Sequence, residues 1–484
     1  MLDGVERHLE KTKWVLPVLF IIGYFLTFKS FSDNFLEYLI CNLVAAALCM
    51  ALLFSIRLHE QKFVAVWVAF ILLVMLYFVR FYWITLDPTP VRVMLPRNPY
   101  MLMIKSSASQ LLAFKLSVLA FAGFSCSTAA MIFYINRKNL DNRLFFENPD
   151  SNFFGMLSMW VLIVTTLTAL AFAYLTYKYK IGEMGVSSGE PLPFRLKGLI
   201  FYARTVSIPL AILLAIYLAE CCGNLTTARL GIFVLVMNGV ADMILRSSRS
   251  GLLLSLVLLV FLMLAGGIRL RRKEKVMFAL LIPIAFITVP FMTEYRFIRM
   301  NSSLSHIEAF FGALNLANSN GLNQLFKGFQ FVMFRLPGIE SLWCMIAWRA
   351  EPLGVQSFGI LDSTNGIAGY LTSVIYPLKV SDNTLLAPGF VGWFYLVAGW
   401  PAIVAGAMAT GVLSLQVWSH LGRNYLAAGP IAKVFFLWVL FLALTEGTLD
   451  NMRYMFFAGV LTVMAFEFGL QYYKKIRINI DRAN

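Results

Sequence analysis

The stretch NGVADMILRSSRSGLLL carries one acidic and two basic residues with helical spacing. Asp242, Arg246 and Arg249 stand at positions i, i+4 and i+7, so a helix continuing through 242–249 would place them on one face. The carboxylate would hold both guanidinium groups in orientation, and Gly251 would allow a close turn into the next segment. Guanidinium groups bind phosphate oxygens through paired hydrogen bonds and keep their charge. The stretch therefore predicts an anion site, and arginines that touch lipid phosphates at a membrane surface are the competing interpretation.

Further charged residues occur where other apolar segments end. In TEYRFIRMNSS, Arg296 and Arg299 are three residues apart and share a helical face. In TEGTLDNMRY, Asp450 and Arg453 follow Glu446 with the same helical spacing. Each group alone is typical of solvated loop charges. Their common position at one side of an otherwise apolar protein favours a shared anion.

The sequence contains no P-loop, no GxGxxG, HExxH or GxSxG motif, and no set of its six cysteines and four histidines with metal-ligand spacing. No cofactor and no metal are therefore predicted. The candidates for a general base near the arginines are Glu294, His306, Glu340 and Asp450. A single loop histidine such as His306 is also typical of a solvated surface.

The composition determines the solvent in which these groups must work. Of the 484 residues, 60% are hydrophobic and 13% are charged, and the mean hydropathy is +0.75. No globule of this length can bury so much apolar surface, which excludes a soluble enzyme, a disordered chain and a disulfide scaffold. We attribute the net charge of +15 to loop topology and anionic headgroups, and we expect no nucleic-acid partner.

Apolar runs of about 20 residues, the length that crosses a bilayer, predict an all-α membrane bundle of about twelve transmembrane helices. The predicted spans are 14–31, 35–56, 63–86, 111–135, 153–177, 198–222, 226–245, 251–268, 276–293, 389–415, 430–448 and 455–472. We divide the chain into spans one to nine at 1–293, a long segment with amphipathic or re-entrant helices at 294–388, and spans ten to twelve with the tail at 389–484.

Basic residues in short loops predict the orientation. RLRRKEK at 269–275 is the densest cluster, and an even number of spans places it on the same side as both termini. Lys and Arg favour the cytoplasmic side, so we expect cytoplasmic termini. The long segment 294–388 and the arginine groups then lie on the outer side.

The chain resembles bacterial oligosaccharide repeat-unit polymerases of the O-antigen polymerase (Wzy) type. The resemblance rests on SRSGLLL at a span start, YRFIR at a span end, FRLPG in the long segment and APGFVGWFYLVAGWPAIVAG opening the next span, and it is best over 230–415. It implies metal-independent glycosyl transfer at the periplasmic face of the inner membrane. The donor and acceptor would be glycans on undecaprenyl diphosphate, and a chain-length regulator protein is a candidate partner besides membrane lipids.

The resemblance also implies roles for individual residues. Arg246 and Arg249 correspond to the arginines at the span boundary, and Arg296, Arg299 and Arg335 to those of the long loop and its edge. O-antigen ligases carry a loop histidine, for which His306 is only a positional counterpart. The resulting catalytic set is Arg246, Arg249, Glu294, Arg296, Arg299 and His306, and the substrate-binding set is Arg204, Tyr295, Arg335, Arg349, Asp450 and Arg453.

Two alternatives remain open at the level of sequence. An O-antigen ligase would transfer finished glycan to another acceptor, so its loss would leave polymer on the lipid carrier. A transporter of lipid-linked oligosaccharide or another solute would move its substrate without changing glycan size. Transporters often show internal repeats and charges near the membrane midplane. In this sequence no repeat is visible and the charges gather at one face.

Overall fold

The structure is a computed structural model. The residues that it describes are 15–56, 61–87, 107–136, 151–182, 196–248, 251–268, 271–301, 304–318, 328–330, 338–347, 351–354, 356, 367, 370–371, 387–421, 428–447 and 452–483.

All regular secondary structure in these ranges is helical, and no strand occurs among the described residues. The principal helices are α1 (Val15–Thr27), α2 (Phe35–Ser55), α3 (Val64–Leu86), α4 (Ser107–Asn136), α5 (Ser151–Tyr179), α6 (Leu196–Cys221), α7 (Leu225–Leu245), α8 (Gly251–Leu264), α9 (Arg272–Asn301), α10 (His306–Asn318), α11 (Ile339–Ala347), α12 (Phe390–Leu421), α13 (Gly429–Glu446) and α14 (Arg453–Ala483).

Ten apolar stretches in the described residues are long enough to cross a membrane. The difference from about twelve predicted spans has two causes. The first stretch, Val15–Ser55, contains both α1 and α2, separated by a 3-10 element in which Phe31 leaves the helical conformation (φ −126°, ψ 30°). Helix α8 is apolar but has only 14 residues. The predicted fold class, an all-α multi-pass membrane bundle, is confirmed.

Helix α5 illustrates why the surrounding medium is lipid. Trp160, Leu167 and Leu170 are 58, 62 and 64% exposed, a surface that water would not tolerate over a whole helix. Threonine hydroxyls of the same helix donate hydrogen bonds to backbone carbonyls one turn back. The Thr168 hydroxyl, for example, donates to the carbonyl of Val164 at 2.8 Å. Both features suit hydrocarbon, where every polar group needs an internal partner.

The chain folds into two compact units, and each is built from separate stretches of sequence. One comprises Met1–Asp141, Phe334–His420 and Val439–Arg453, and we call it the first unit. The other comprises Asn142–Met333, Leu421–Trp438 and Tyr454–Asn484, and we call it the second unit.

In the second unit, α7 and α9 run in the same direction. Near their amino ends, Arg229 Nε lies 2.9 Å from Glu274 Oε1. Near their carboxyl ends, Met243 is buried in one apolar cluster with Met292 and Tyr295. Residues 271–275 of RLRRKEK, at the start of α9, therefore lie at the opposite ends of these helices from Arg246 and Arg299.

In the first unit, α12 is broken within its apolar sequence. Ala398 and Gly399 leave the helical conformation, and Gly399 has φ 70° and ψ −151°, a region open essentially only to glycine. The carbonyls freed by the break accept hydrogen bonds from the amides of Leu353 and Gly354, at 2.7 and 2.8 Å. The break is thus built into the fold, because its polar groups are paired inside the protein.

Candidate anion-binding site

Arg204 of the second unit lies in a π-helical segment, Ala203–Ser207, within the apolar helix α6. A π turn accommodates one extra residue and is frequently found at functional sites. Only 2% of the Arg204 side chain is exposed. A guanidinium group at this depth costs several kcal/mol unless it is paired.

Helix α7 brings Asp242 and Arg246 to the same place. Arg246 Nη1 donates to Asp242 Oδ2 at 2.7 Å, as their i, i+4 spacing predicts. Arg204 Nε lies 3.4 Å from the other carboxylate oxygen, Oδ1. One carboxylate is therefore shared by two guanidinium groups from different helices, and the three side chains together carry a formal charge of +1.

The prediction that α7 continues through residue 249 is wrong. The helix ends at Leu245 with Arg246 as its cap, and Ser247 adopts a left-handed conformation with φ 52°. The amide of Ser248 then bonds to the carbonyl of Met243 at 3.0 Å, and that of Ser247 to Ile244 at 3.3 Å, a Schellman ending. Arg249 itself lies outside the described residues.

The reversal after Ser247 is tight because α8 begins directly against α7. A Cβ atom on Gly251 would lie 2.5 Å from the carbonyl oxygen of Gly239 and 2.9 Å from the amide nitrogen of Met243. Only glycine permits this approach. This close approach at Gly251 holds the end of α7 in place.

Several donors in this cluster have no hydrogen-bond acceptor among the described residues. All three nitrogens of Arg204 are buried without one, and its contact with Asp242 is an ion pair that lacks hydrogen-bond geometry. Nε of Arg246 and Oγ of Ser247 are in the same state. Leaving a buried charged donor unpaired costs about 1–3 kcal/mol or more. An anion that supplied oxygen acceptors would remove this cost.

Arg246 is held from a second side by α6 and by the end of α5. Its guanidinium carbon lies 4.5 Å from the centre of the Phe201 ring, a cation–π arrangement. Gly182, just beyond α5, has φ 69°, and a Cβ atom there would lie 2.8 Å from the Phe201 ring and 3.2 Å from Arg246 Nε. Phe201 and Gly182 are site residues that the sequence did not reveal, because nothing in their spacing relates them to Arg246.

Tyr295, Arg299 and His306 form a neighbouring cluster where α9 ends and α10 begins. The Tyr295 hydroxyl is 2.5 Å from His306 Nδ1, and Arg299 Nη2 is 3.4 Å from His306 Nε2. Arg299 Nη1 also donates to the carbonyl of Leu304 at 2.6 Å. Tyr295 is fully buried, whereas His306 is half-buried. The imidazole thus bridges a phenol and a guanidinium group.

A capping box fixes the start of α10 beside this histidine. The amide and hydroxyl of Ser305 both donate to Glu308 Oε2 at 2.8 Å, and the Glu308 amide donates to Ser305 Oγ at 3.3 Å. The two hydrogen bonds from Ser305 lower the pKa of the Glu308 carboxyl. The local sequence SHIE therefore sets where the His306 side chain leaves the helix.

The end of α5 relates the two clusters. The Tyr177 ring lies 5.8 Å from the His306 ring, and Gly182, five residues on, lies beside Arg246. The apolar cluster that includes Met243 and Tyr295 packs underneath both. Arg204, Arg246 and Arg299, from α6, α7 and α9, thus lie at one end of the second unit.

The other predicted site residues have different positions. Glu294 is exposed on α9, Arg296 is half-buried on the same helix, and Arg453 is half-buried at the start of α14. The remaining four lie outside the described residues: Arg249, Arg335, Arg349 and Asp450.

Glu340, one of the four candidate bases, is a buried ion-pair partner in the first unit. Its Oε1 is 2.6 Å from Arg80 Nη2 and accepts the amide of Gly338 at 3.2 Å. Burial raises the pKa of Glu340, and the Arg80 guanidinium opposes that rise. The carboxylate is therefore committed to Arg80 and is not a free base.

Among the described residues, no group of three or more His, Cys, Asp and Glu side chains is placed to hold a metal ion. Comparisons with protein-family models, with curated proteins and with solved structures found no match to this chain.

Proposed function

We propose that this protein is a glycosyltransferase that polymerises oligosaccharide repeat units linked to undecaprenyl diphosphate, at the periplasmic face of the bacterial inner membrane. The observation that carries the proposal is the buried guanidinium group of Arg204. It lies beside Arg246 with none of its nitrogens hydrogen-bonded to a described residue. A diphosphate carried on a lipid is an anion that would reach this depth.

The first unit provides a reference for a buried arginine with a purely structural role. Arg80 follows a π-helical segment, Val74–Val79, as Arg204 lies within one, and both side chains are 2% exposed. Arg80, however, is joined at 2.6 Å to Glu340. Arg204 Nε is 3.4 Å from Asp242 Oδ1, and Arg204 shares this carboxylate with Arg246. The excess positive charge around Arg204 therefore supports a site for an anion from outside the chain.

In the proposed reaction, the bond between the anomeric carbon of the donor glycan and the diphosphate oxygen breaks. The anomeric carbon forms a bond to a hydroxyl oxygen of the acceptor repeat unit, and the hydroxyl proton passes to a base. Undecaprenyl diphosphate leaves with the bonding electron pair. Arg204 and Arg246 stabilise the charge that develops on the leaving oxygens, which favours the transition state over the ground state. The energy comes from the diphosphate linkage.

Of the candidate bases, His306 is the one whose position fits this scheme. It lies next to Arg299, and the Tyr295 hydroxyl at Nδ1 orients the ring. The contact between Nε2 and Arg299 is long, at 3.4 Å, so an acceptor hydroxyl can compete for that nitrogen. Arg296 and Arg299 would then hold the acceptor's phosphates.

The proposal also assigns an orientation. The carboxyl ends of α5, α7 and α9 would face the periplasm, and RLRRKEK and both termini would face the cytoplasm. This follows from the basic residues of the connections and from the placement of RLRRKEK at the far ends of α7 and α9. A chain-length regulator protein and membrane lipids remain the proposed partners.

A transporter is the second candidate, because α12 is broken at Ala398 and Gly399 within its apolar sequence. Discontinuous helices of this kind form the substrate sites of many secondary transporters. Against this candidate, the break is closed by the backbone of Leu353 and Gly354, and its carbonyls are already paired.

The test is polymerisation by the purified full chain in nanodiscs, with lipid-linked repeat units extracted from a strain that lacks the gene. We expect a ladder of glycan lengths from the wild type and single units only from Arg204→Met and Arg246→Met. Arg229→Met is the matched control, since Arg229 is a half-exposed arginine of the same helix at the opposite end. Transport of lipid-linked glycan without a change in its length would refute the polymerase. Transfer of finished polymer to a different acceptor would identify a ligase instead.

A further inference from the structure

We infer that Asp242 limits the affinity of the Arg204–Arg246 site for pyrophosphate groups, so that the spent lipid carrier leaves after transfer. The inference rests on the proposed function for its biological meaning. The underlying anion selectivity is a property of the site itself and is measured separately. It assigns Asp242 as a positioning residue with two tasks, orientation of the arginines and partial cancellation of their charge.

The geometry shows both tasks. Oδ2 of Asp242 fixes Arg246 through a hydrogen bond of 2.7 Å, and Oδ1 lies 3.4 Å from Arg204 Nε. The carboxylate therefore lies on the side of each guanidinium group that faces the other. All three nitrogens of Arg204 and the Nε of Arg246 are buried without a hydrogen-bond acceptor among the described residues, so a bound anion would supply what they lack. A phosphate bound by both arginines would have the carboxylate as its nearest negative neighbour.

The charge of the Asp242 carboxylate affects how tightly the site binds the substrate and the product. Two guanidinium groups and one carboxylate carry +1, and a glycan-linked diphosphate carries two negative charges. Once the sugar has left, the terminal phosphate becomes a monoester whose second ionisation lies near pH 6, so the product gains up to one more negative charge at neutral pH. Without Asp242, the product would be bound most tightly of all. With it, the extra charge is repelled.

A solely structural Asp242 predicts the opposite result for the same substitution. If the carboxylate only holds the arginines in place, its removal loosens both and weakens the binding of every anion. If it also cancels charge, its removal strengthens binding, and more so for pyrophosphate than for phosphate. The sign of the change in affinity therefore separates the two roles.

The experiment uses the full chain in phosphatidylcholine nanodiscs, which carry no net lipid charge, and measures the binding of inorganic pyrophosphate and of inorganic phosphate by calorimetry. We expect Asp242→Asn to bind pyrophosphate at least about tenfold more tightly than the wild type, because one like-charge repulsion is removed. The preference over phosphate should rise as well. Asp242→Glu, which keeps the charge, should show no such gain, and Arg204→Met should lose at least about tenfold in affinity.

Equal or weaker pyrophosphate binding by Asp242→Asn overturns the inference. Asp242→Ser also removes the charge and serves as the second variant where the asparagine protein does not fold. The polymerase proposal fails separately, in the polymerisation assay. If the wild type makes no polymer but Asp242→Asn gains pyrophosphate affinity, the anion site is supported and the polymerase proposal fails. If the wild type makes polymer but Asp242→Asn gains no pyrophosphate affinity, the polymerase proposal is supported and this role of Asp242 is refuted.

Discussion

Arg204 Nε and Asp242 Oδ1 lie 3.4 Å apart, on two different helices of the second unit, and the carboxylate is bonded more closely to Arg246 at 2.7 Å. Arg204 is thus the less satisfied of the two cations, although it is the more deeply buried. A folded protein keeps such a group only where something outweighs its cost. Ligand binding is a role that suits a buried guanidinium group with no hydrogen-bond acceptor among the described residues.

The first prediction contrasts the two buried arginines. Arg204→Met removes an incompletely paired charge and leaves Asp242 bonded to Arg246, so we expect the stability to be unchanged or to rise by about 1–4 kcal/mol. Arg80→Met leaves Glu340 buried without its cation, and we expect a loss of about 3–5 kcal/mol. The thermal unfolding midpoints of both variants in the same detergent measure the difference. A greater loss in Arg204→Met than in Arg80→Met would contradict the assignment of roles.

The second prediction concerns pH and the ion pair of the first unit. Burial raises the pKa of Glu340 in the folded protein, and Arg80 opposes the rise. In Arg80→Met the opposition is gone, so the folded pKa lies further above the unfolded value. A group with a raised folded pKa contributes its stability below the unfolded pKa and loses it as the pH rises through the folded pKa. The stability deficit of Arg80→Met should therefore shrink as the pH falls from 8 towards 5.

The control for this pH effect is the double variant Arg80→Met/Glu340→Gln, which has no ionisable group at the site. Its unfolding midpoint should exceed that of Arg80→Met at pH 8, and the gap between the two should narrow with acidification. A constant gap across this range would show that Glu340 is not the titrating group.

The sequence predicted the helices well because a membrane span must be both long and apolar. In hydrocarbon, each backbone amide needs a partner within its own helix, so hydropathy and length together identify a span. Helical spacing likewise predicted the pairing of Asp242 with Arg246, since both lie on one helix four residues apart. These features depend on local sequence alone.

What the sequence did not reveal depends on contacts between helices or on single backbone angles. The left-handed conformation of Ser247 ends α7, yet serine is not the residue expected there. The contact of Arg204 with Asp242 joins α6 to α7, and Phe201 meets Arg246 across the same interface. No spacing rule relates such positions. The role of Glu340 as the partner of Arg80 was hidden for the same reason.

A third prediction addresses the glycine that holds the end of α7. In Gly251→Ala the new methyl group would meet backbone atoms of Gly239 and Met243, which cannot move aside as a flexible side chain can. We expect a loss of about 1–3 kcal/mol and a displaced Asp242–Arg246 pair, with weaker pyrophosphate binding. Gly198→Ala is the control, because no atom of the described residues outside its own helix lies within 4 Å of that methyl position. Equal unfolding midpoints for the two variants would argue against the close approach.

The last prediction identifies the base. His306 is oriented by the Tyr295 hydroxyl at Nδ1. Its Nε2 is therefore the nitrogen that would take the hydroxyl proton of the acceptor repeat unit. We expect His306→Gln to lower the polymerisation rate by about 10²–10⁴-fold with little change in the apparent KM for the donor. Tyr295→Phe keeps the buried ring and removes only the hydroxyl that orients the imidazole, so it should lower the rate less than His306→Gln does.

Glu294→Gln supplies the matched control for the base. Glu294 is the described candidate that remains besides His306 once Glu340 is paired with Arg80, and its side chain is exposed on the same helix end as Tyr295. Its rate should stay within about threefold of the wild type, since an exposed carboxylate on the helix surface is not held within reach of one hydroxyl. If Glu294→Gln loses activity and His306→Gln keeps it, Glu294 is the base. The His306 imidazole then serves only to bridge Tyr295 and Arg299. Rates measured at saturating acceptor separate this outcome from a loss of acceptor binding.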